Sequence, residues 1–322
     1  MNRKEFLKVG ALGATSLLFM PKLSAANKAT GLKFGVITDL HHDIMHDGLE
    51  RLEAFIDSMN QEKPDFIIQL GDFCVPKEEN KELMEVWEKY EGQAFHVLGN
   101  HDTDGGYSRE QAVEFWKAKG KYYSFDQNGY HFVVLDGNEH NDSPDRPGGY
   151  ARYIGAEQQK WLREDLSNTA LPTIISCHQG MDNDLGGLEN GTAIRYILEE
   201  ANENANFDKV ILVLSGHHHQ DYYNQINGIH YVQINSASYQ WLGDDYKTIR
   251  YSKEVDKAYP WIKFTVPYKD PIWAMIHIKG KGTITIEGKA TEFVGPSPKD
   301  LKVDMSNYVY PIVPKISDRK IK

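Results

Sequence analysis

The sequence predicts an α/β fold built on buried parallel strands, and three observations carry that prediction. Five apolar, β-branched runs recur along the chain, Leu32 to Thr38, Phe66 to Leu70, Ala94 to Leu98, Thr173 to Ser176 and Val210 to Leu214. Their near-continuous hydrophobicity is that of strands covered on both faces. Segments of helical period separate the runs. Each run also leads into a chemistry-bearing residue or signature: Asp39-Leu40-His41, Gly71-Asp72, Gly99-Asn100-His101-Asp102, His178, and Gly216-His217-His218-His219. The carboxyl ends of parallel strands converge on one edge of a sheet, which is where open α/β folds place their sites.

The connecting elements follow in order. Gly48 to Asn60 sets Leu49, Leu52, Phe55, Ile56 and Met59 on one helical face, and Pro64 stops that helix before the second strand. Leu83, Val86, Trp87 and Tyr90 mark a second helix, and Val113, Phe115 and Trp116 a third. Tyr122 to Phe125 and Phe132 to Leu135 read as strands paired around Asn128-Gly129, a hairpin turn signal. Trp161, Leu162 and Leu166 mark the helix before the His178 strand; Ala193, Ile194, Ile197 and Leu198 mark the one before Gly216. Tyr222 to Ile226 and Ile229 to Ile234 pair across Asn227-Gly228, so the sheet turns partly antiparallel there. Trp273 to Ile278 and Thr283 to Ile286 form a last hairpin. From Pro296 onward a proline-bearing tail, residues 296–322, is expected to lie extended on the surface.

Residue types then define a metal chemistry. Imidazole, carboxylate and amide oxygen suit manganese, iron or zinc, and no set of cysteines competes for the role. If Asp72 bridges two ions, one takes Asp39, His41 and His219, and its neighbour takes Asn100, His178 and His217. Two divalent ions at about +4, two carboxylates and a shared hydroxide leave the cluster near +1, which draws in an anionic phosphate. Such a pair, about 3.5 to 4 Å apart, lowers the pKa of a shared water and clamps both oxygens of an in-line displacement. His218, between two expected ligands, turns to the other side by alternation and lies behind them or faces substrate. His96, His131, His230 and His277 sit in strand patterns and read as structural, while His42 and His46 follow the first ligand in a loop.

The order and content of these motifs resemble the calcineurin-like metallophosphoesterase superfamily over about Leu32 to Ser236. The resemblance implies two stacked mixed β-sheets flanked by helices, a four-layer α/β/β/α sandwich. It implies that Asp39, His41, Asp72, Asn100, His178, His217 and His219 hold two metal ions, and that a metal-bridging hydroxide attacks the phosphorus. It makes His101 the catalytic histidine that contacts phosphate and protonates the departing oxygen, with Asp102 orienting its ring. Where many relatives carry Asp, Asn, Arg or Tyr, this chain has Val75, which argues against an iron-tyrosinate centre. A metallo-β-lactamase reading of His217, His219 and Asp221 fails at Tyr222, where that family's next His belongs. An amidohydrolase reading fails because the first strand ends in Asp39-Leu40-His41. Neither rival explains Gly-Asn-His-Asp.

Composition fits a large folded enzyme. At 322 residues, 40% hydrophobic and 25% charged, the chain buries a sizeable core. The net charge is −10, with no basic stripe to displace counterions from a nucleic-acid polymer, so a small phosphorylated substrate is expected. Arg3, Lys4 and Lys8, the apolar stretch Val9 to Met20, and Ser24-Ala25-Ala26 read as a signal peptide over residues 1–26. That stretch is too short for a stable membrane span. Arg3-Lys4-Glu5-Phe6-Leu7-Lys8 resembles a bacterial twin-arginine signal, which implies an exported, periplasmic protein. The phosphoesterase domain is then expected over residues 27–295. Cys74 and Cys177 are read as buried free thiols, the latter turned from the ions.

Two segments exceed ordinary connections. Gly137 to Ile154, with His140, Tyr150 and Arg152, is either a lid on the active edge or a solvated loop. Tyr239, Trp241, Tyr246 and Tyr251 either stack a base or pack under the carboxyl-terminal elements. Asn100, His101, His218, His140, Arg152 and Tyr239 are the candidate substrate contacts. Gly155 to Leu162 after Asp136-Gly137 is similar to members that cleave cyclic nucleotides or nucleoside-diphosphate compounds; a phosphomonoester fits equally. The alternative is a non-catalytic phosphate- or metal-binding protein that retains the fold.

Overall fold

The computed structural model describes residues 31–279 and 282–322. The signal-peptide reading, residues 1–26, lies outside the described residues.

Two six-stranded mixed sheets face each other. Strands β1 (Leu32–Ile37), β2 (Phe66–Gln69) and β3 (Gln93–His96) run parallel. The chain's last three strands, β12 (Ala274–Lys279), β13 (Thr283–Glu287) and β14 (Arg319–Ile321), extend that sheet antiparallel, in the order β14-β13-β12-β1-β2-β3. The second sheet takes β4 (Tyr123–Gln127), β5 (Tyr130–Leu135), β6 (Thr173–Cys177), β7 (Val210–Ser215), β8 (Tyr222–Ile226) and β9 (Ile229–Gln233) in the order β4-β5-β6-β7-β9-β8. Its four central strands are parallel. A short pair, β10 (Tyr239–Trp241) and β11 (Thr265–Pro267), stands apart.

Strand alternation sorts the side chains into layers. Phe34, Val36, Phe66 and Ile68 of the first sheet meet Phe132, Val134, Ile174, Leu212 and Leu214 of the second in one buried core. On the outer face of the first sheet, Ile37 and Ile67 pack on Leu52, Phe55, Ile56 and Met59 of α1 (Gly48–Glu62) and Leu83, Val86 and Trp87 of α2 (Lys81–Trp87). On the outer face of the second, Val133, Ile175 and Cys177 pack on Leu162 and Leu166 of α4 (Ala156–Asn168) and Ile194, Ile197 and Leu198 of α5 (Gly191–Glu203). Between α2 and α4 lies α3 (Arg109–Phe115), opened by a Ser108 capping box with Gln111. The layers are α/β/β/α, as the resemblance implies. Both Asn-Gly turns have left-handed φ at both residues, 49° and 83° at Asn128-Gly129 and 48° and 84° at Asn227-Gly228, the geometry of tight hairpins.

The tail differs from expectation. Residues 296–322 do not simply lie on the surface: Ile316 and Ile321 enter the core between the sheets, and β14 becomes the edge strand beside β13. Asp221 anchors this return, accepting from the Ser317 amide and hydroxyl at 3.1 and 2.5 Å and from Arg319 at 2.7 Å. The prolines delay strand pairing without preventing it. Among the described residues, no helix is long and apolar enough to cross a membrane.

Candidate active site

Backbone geometry at the strand ends aims the expected ligands inward. Asp39, His41, Asp72, His217 and His219 all have left-handed φ, between 49° and 74°, a conformation that costs energy for residues with a Cβ and concentrates at functional sites. Each turns the chain sharply as it leaves a strand. The motif glycines make room for those turns: Gly71 has φ 103° and a Cβ there would meet the Gly99 backbone at 2.8 Å, while a Cβ on Gly99 would strike Asp72. Cross-links hold the loops together. Asp39 N donates to Gly71 O at 3.0 Å, His41 N to Asp72 O at 2.9 Å, and Gly216 N to His178 O at 2.9 Å.

Two groups of ligand atoms result. Asp39, His41 and His219 form one, and Asp72, His178 and His217 the other, with the atoms of each within 4.8 Å of one another. His41 Nε2 lies 3.1 Å from His219 Nε2 and 3.5 Å from Asp72 Oδ2, so Asp72 stands between the groups. Second hydrogen bonds fix two of the rings: His178 Nδ1 donates to Leu70 O and His219 Nδ1 to Tyr239 O, both at 2.7 Å. That arrangement leaves each Nε2 lone pair directed into the cluster, the tautomer metal-ligating histidines adopt. His178 Nε2, 3.1 Å from Asp72 Oδ2 but not aligned to bond it, has no hydrogen-bond partner, and neither does buried Asn100 Oδ1. Orphaned buried acceptors of this kind are costly unless something binds them. Cations between the two groups would satisfy all of them.

Electrostatics divide the set. Burial drives His41 down to about 3, keeping it neutral, and pushes His217 well below its ordinary value. Burial alone would raise Asp72, but the histidines facing it hold it well below the usual carboxylate range. These three are in the deprotonated forms that bind metal. Burial would lower His178 too, but Asp72 and Asp39 facing it raise it to about 9, a charge that a cation in their place would remove.

His101 stands on the rim, its backbone N–H donating to Asp72 Oδ1 at 2.8 Å. The sequence reading of its neighbour needs correction. Asp102 does not orient the His101 ring. It is fully buried and accepts backbone N–H groups from Gly99, Asp72 and Phe73 at 2.7, 3.0 and 2.7 Å, tying two ligand loops together. Asp104 holds the ring, with Oδ2 2.7 Å from His101 Nδ1. The reason is a 3₁₀ turn beginning at His101, in which residues three apart eclipse and adjacent ones diverge. The i,i+3 spacing of His101 and Asp104 was a signal, but it becomes readable only once the turn type is known. Burial would lower His101, and Asp72 with Asp104 overcomes it, lifting the imidazole to about 9; cations beside Asp72 act against that lift.

The remaining candidates divide. Tyr239 is buried, with its ring centroid 4.9 Å from His41 and 5.0 Å from His219, and it lines the cavity over the cluster. His218 lines the cavity over the cluster, about 330 Å³, with His101, Tyr150, Gln240 and Trp241, while its ring nitrogens meet Gln233 Oε1 and Leu185 O. Asn100 and His140 line an adjoining space of about 400 Å³ with Arg109 and Asn138. Arg152 is not brought to these cavities; its carbonyl accepts from Glu189 N. Tyr150, from the 137–154 segment, does arrive. Its hydroxyl donates to Asp104 Oδ1 at 2.8 Å and lies 3.2 Å from His101 Nδ1. His96, His131 and His230 sit among protein partners away from the cluster, Gln69, Asp126 with Asp165, and Tyr223 respectively. His46 packs on Tyr251.

Residues 32–221 match the profile of the calcineurin-like phosphoesterase family. The chain belongs to that family. It is a phosphoesterase, a hydrolase acting on phosphoester bonds. Among curated proteins it is similar to a manganese-dependent ADP-ribose/CDP-alcohol diphosphatase of Arabidopsis thaliana, 26% identical over an alignment of 281 residues that covers 67% of this chain and 89% of that one. Among solved structures, the fold resembles a dimetal phosphatase from Danio rerio, with TM-score 0.58 and 13% identity over 83% of this chain and 99% of that one. It also resembles GAP50, the anchor in the inner membrane complex of Plasmodium, with TM-score 0.54 and 16% identity over 83% and 90%.

Proposed function

We propose that this phosphoesterase is a dinuclear-metal hydrolase of small phosphorylated compounds, with diphosphate-linked nucleoside compounds as the preferred class and simple phosphomonoesters as weaker substrates. The observation that carries the reading is the pair of adjoining three-residue ligand groups around Asp72, with His101 on their rim. The Arabidopsis relative's activity supports the substrate class and favours manganese, as does a ligand set free of thiolate. Cys74 and Cys177 pack in the two outer cores.

When bound, two such ions supply Lewis acidity and a water activated near neutral pH. The chain does the rest. Asp39, His41 and His219 hold one position, Asn100, His178 and His217 the other, and Asp72 both. His101, bonded through Nδ1 to Asp104, keeps Nε2 for the phosphoryl group and gives a proton to the departing oxygen, a contribution of about 10² to 10⁴ in rate. A complete ligand set and a braced His101 weigh against the non-catalytic binding alternative. The basic, apolar, small-residue order of residues 1–26 supports export to the periplasm as part of the same proposal, and the folded-export route would be tested by fractionation of a Lys4→Gln variant.

The test uses protein reconstituted with manganese and assayed on ADP-ribose, a CDP-alcohol, bis(p-nitrophenyl) phosphate and p-nitrophenyl phosphate. Hydrolysis of the diphosphates above the monoester is expected, with two ions per chain by elemental analysis. Failure to cleave any of the four, with both ions bound, would sink the reading.

A further inference from the structure

A second cavity touching His101, about 650 Å³, does not lie over the ligand groups but beside them. It is lined by His101 and Asp104 on one side and by Tyr107, Trp241 and Trp261 on others, over a floor that includes Val75. Its volume is in the range of small-molecule sites. On the proposed reaction, the group that departs under His101 extends to this side.

The lining narrows what that group is. Trp241 and Trp261 are 40% and 56% exposed, although both are braced against Phe264, with ring centroids 5.8 and 5.7 Å away. Two part-exposed indoles on one cavity wall make an apolar patch of the kind that marks a binding groove. Tyr239 and Tyr251, from the same aromatic segment, are instead spent on packing against His41 and His46. Charge excludes an anion at the far end: Lys77, the cation of the lining, is held by Asp43 at 2.6 Å, and Asp104 is a second carboxylate. Val75 contributes an apolar wall where many relatives place a polar side chain. The space therefore favours a flat, uncharged ring at the far end of the portion that departs.

We propose that this cavity is a nucleobase subsite, in which Trp241 and Trp261 stack the base of the substrate's departing portion. The proposal rests on the reaction given above and names the part of the substrate that reaction leaves open. An alkyl chain is the competing occupant, since the same walls are apolar. Stacking on aromatic side chains is tolerant of base identity and adds roughly 5- to 150-fold in affinity per base, so purines and pyrimidines should both be accepted.

The test titrates three hydrolysis-resistant phosphonates into the manganese-loaded full chain by calorimetry: the adenosine 5′-methylenephosphonate, the matching ribose compound without a base, and octylphosphonate. The adenosine compound is expected to bind at least about tenfold more tightly than the base-free one. The Trp241→Ala/Trp261→Ala double variant should reduce that ratio below about threefold, and Trp261→Phe alone should keep most of it. Equal binding of the first two compounds, an unchanged ratio in the double variant, or tighter binding of octylphosphonate overturns the subsite. Hydrolysis without base selectivity removes the subsite and leaves the reaction standing; base selectivity without hydrolysis of any phosphoester does the reverse.

Discussion

His101 Nδ1 and Asp104 Oδ2 lie 2.7 Å apart, whereas Asp102, next in sequence to His101, turns its carboxylate to three backbone amides. The two aspartates therefore fail differently when removed. Asp104→Asn should lower kcat by about 10- to 100-fold with KM nearly unchanged and the melting temperature intact, because it alters only the orientation of a proton donor. Asp102→Ala should cost about 3 kcal/mol or more, because it orphans three buried N–H groups. Steady-state kinetics and urea melts on both variants separate the roles; a stability loss confined to the Asp104 variant would reverse the assignment.

His101→Ala should reduce turnover by about 10² to 10⁴ while both ions remain bound. Asp72→Asn should instead lower occupancy at both positions, since its carboxylate faces His41 and His178 at 3.5 and 3.1 Å. Elemental analysis beside kinetics distinguishes them. Chelation should abolish activity, with recovery on adding manganese.

Tyr150→Phe removes one hydroxyl bonded to the His101–Asp104 pair and keeps the ring, whose centroid is 4.7 Å from that of His101. A fall of about 3- to 10-fold in kcat is expected, in line with the loss of one hydrogen bond to a charged group. Because Tyr150 is 44% exposed, its melting temperature should not move. Unchanged kinetics would mean that the 137–154 segment has no part in the reaction.

Two histidines outside the site give opposite pH signatures. Burial opposes a charge on His131, but Asp165 and Asp126, at 2.8 and 2.6 Å, raise its pKa above the ordinary 6.5. Its stabilisation is complete below pH 6.5 and is lost as pH rises through the raised value. His131→Asn should therefore cost more at pH 6 than at pH 9. His96, buried against Trp116, is held neutral, with its pKa pushed down to about 3. It destabilises the fold as pH falls from about 6.5 toward 3, where the unfolded chain takes up a proton that the folded one refuses. His96→Phe should flatten that acid limb in denaturant melts; an unaltered limb would count against it.

Cys74 and Cys177 are both buried and unpaired. Ellman titration should find two thiols in denaturant and almost none in the native protein. Fewer than two under denaturing conditions would indicate a bond between them.

Much of the site was legible because its signal is local. A Gly-Asp, Gly-Asn-His-Asp or Gly-His-x-His signature carries within a few residues both the ligand and the glycine that lets the backbone turn beside it. The apolar runs identified the strands for the same reason, since a strand buried on both faces must be apolar throughout. The tail was misread because its prolines are local, while the partners of Ile316, Ile321 and Asp221 lie far along the chain. The orienting role passed from Asp102 to Asp104 through a turn geometry that adjacency in sequence does not encode.

From the sequence alone came the α/β class and the six Asp and His residues that the fold gathers into two groups, because residue type and strand-end spacing constrain them directly, while the four-layer arrangement and the expected role of His101 came from the family resemblance. Only the tertiary structure decided that Asp104 and Tyr150 brace His101, that Tyr239 is buried at the cavity wall while Trp241 stays open, and that Arg152 is left aside. Those outcomes depend on which side chains from distant segments compete for the same space and hydrogen-bond partners, and that competition is resolved only when the two sheets close on each other.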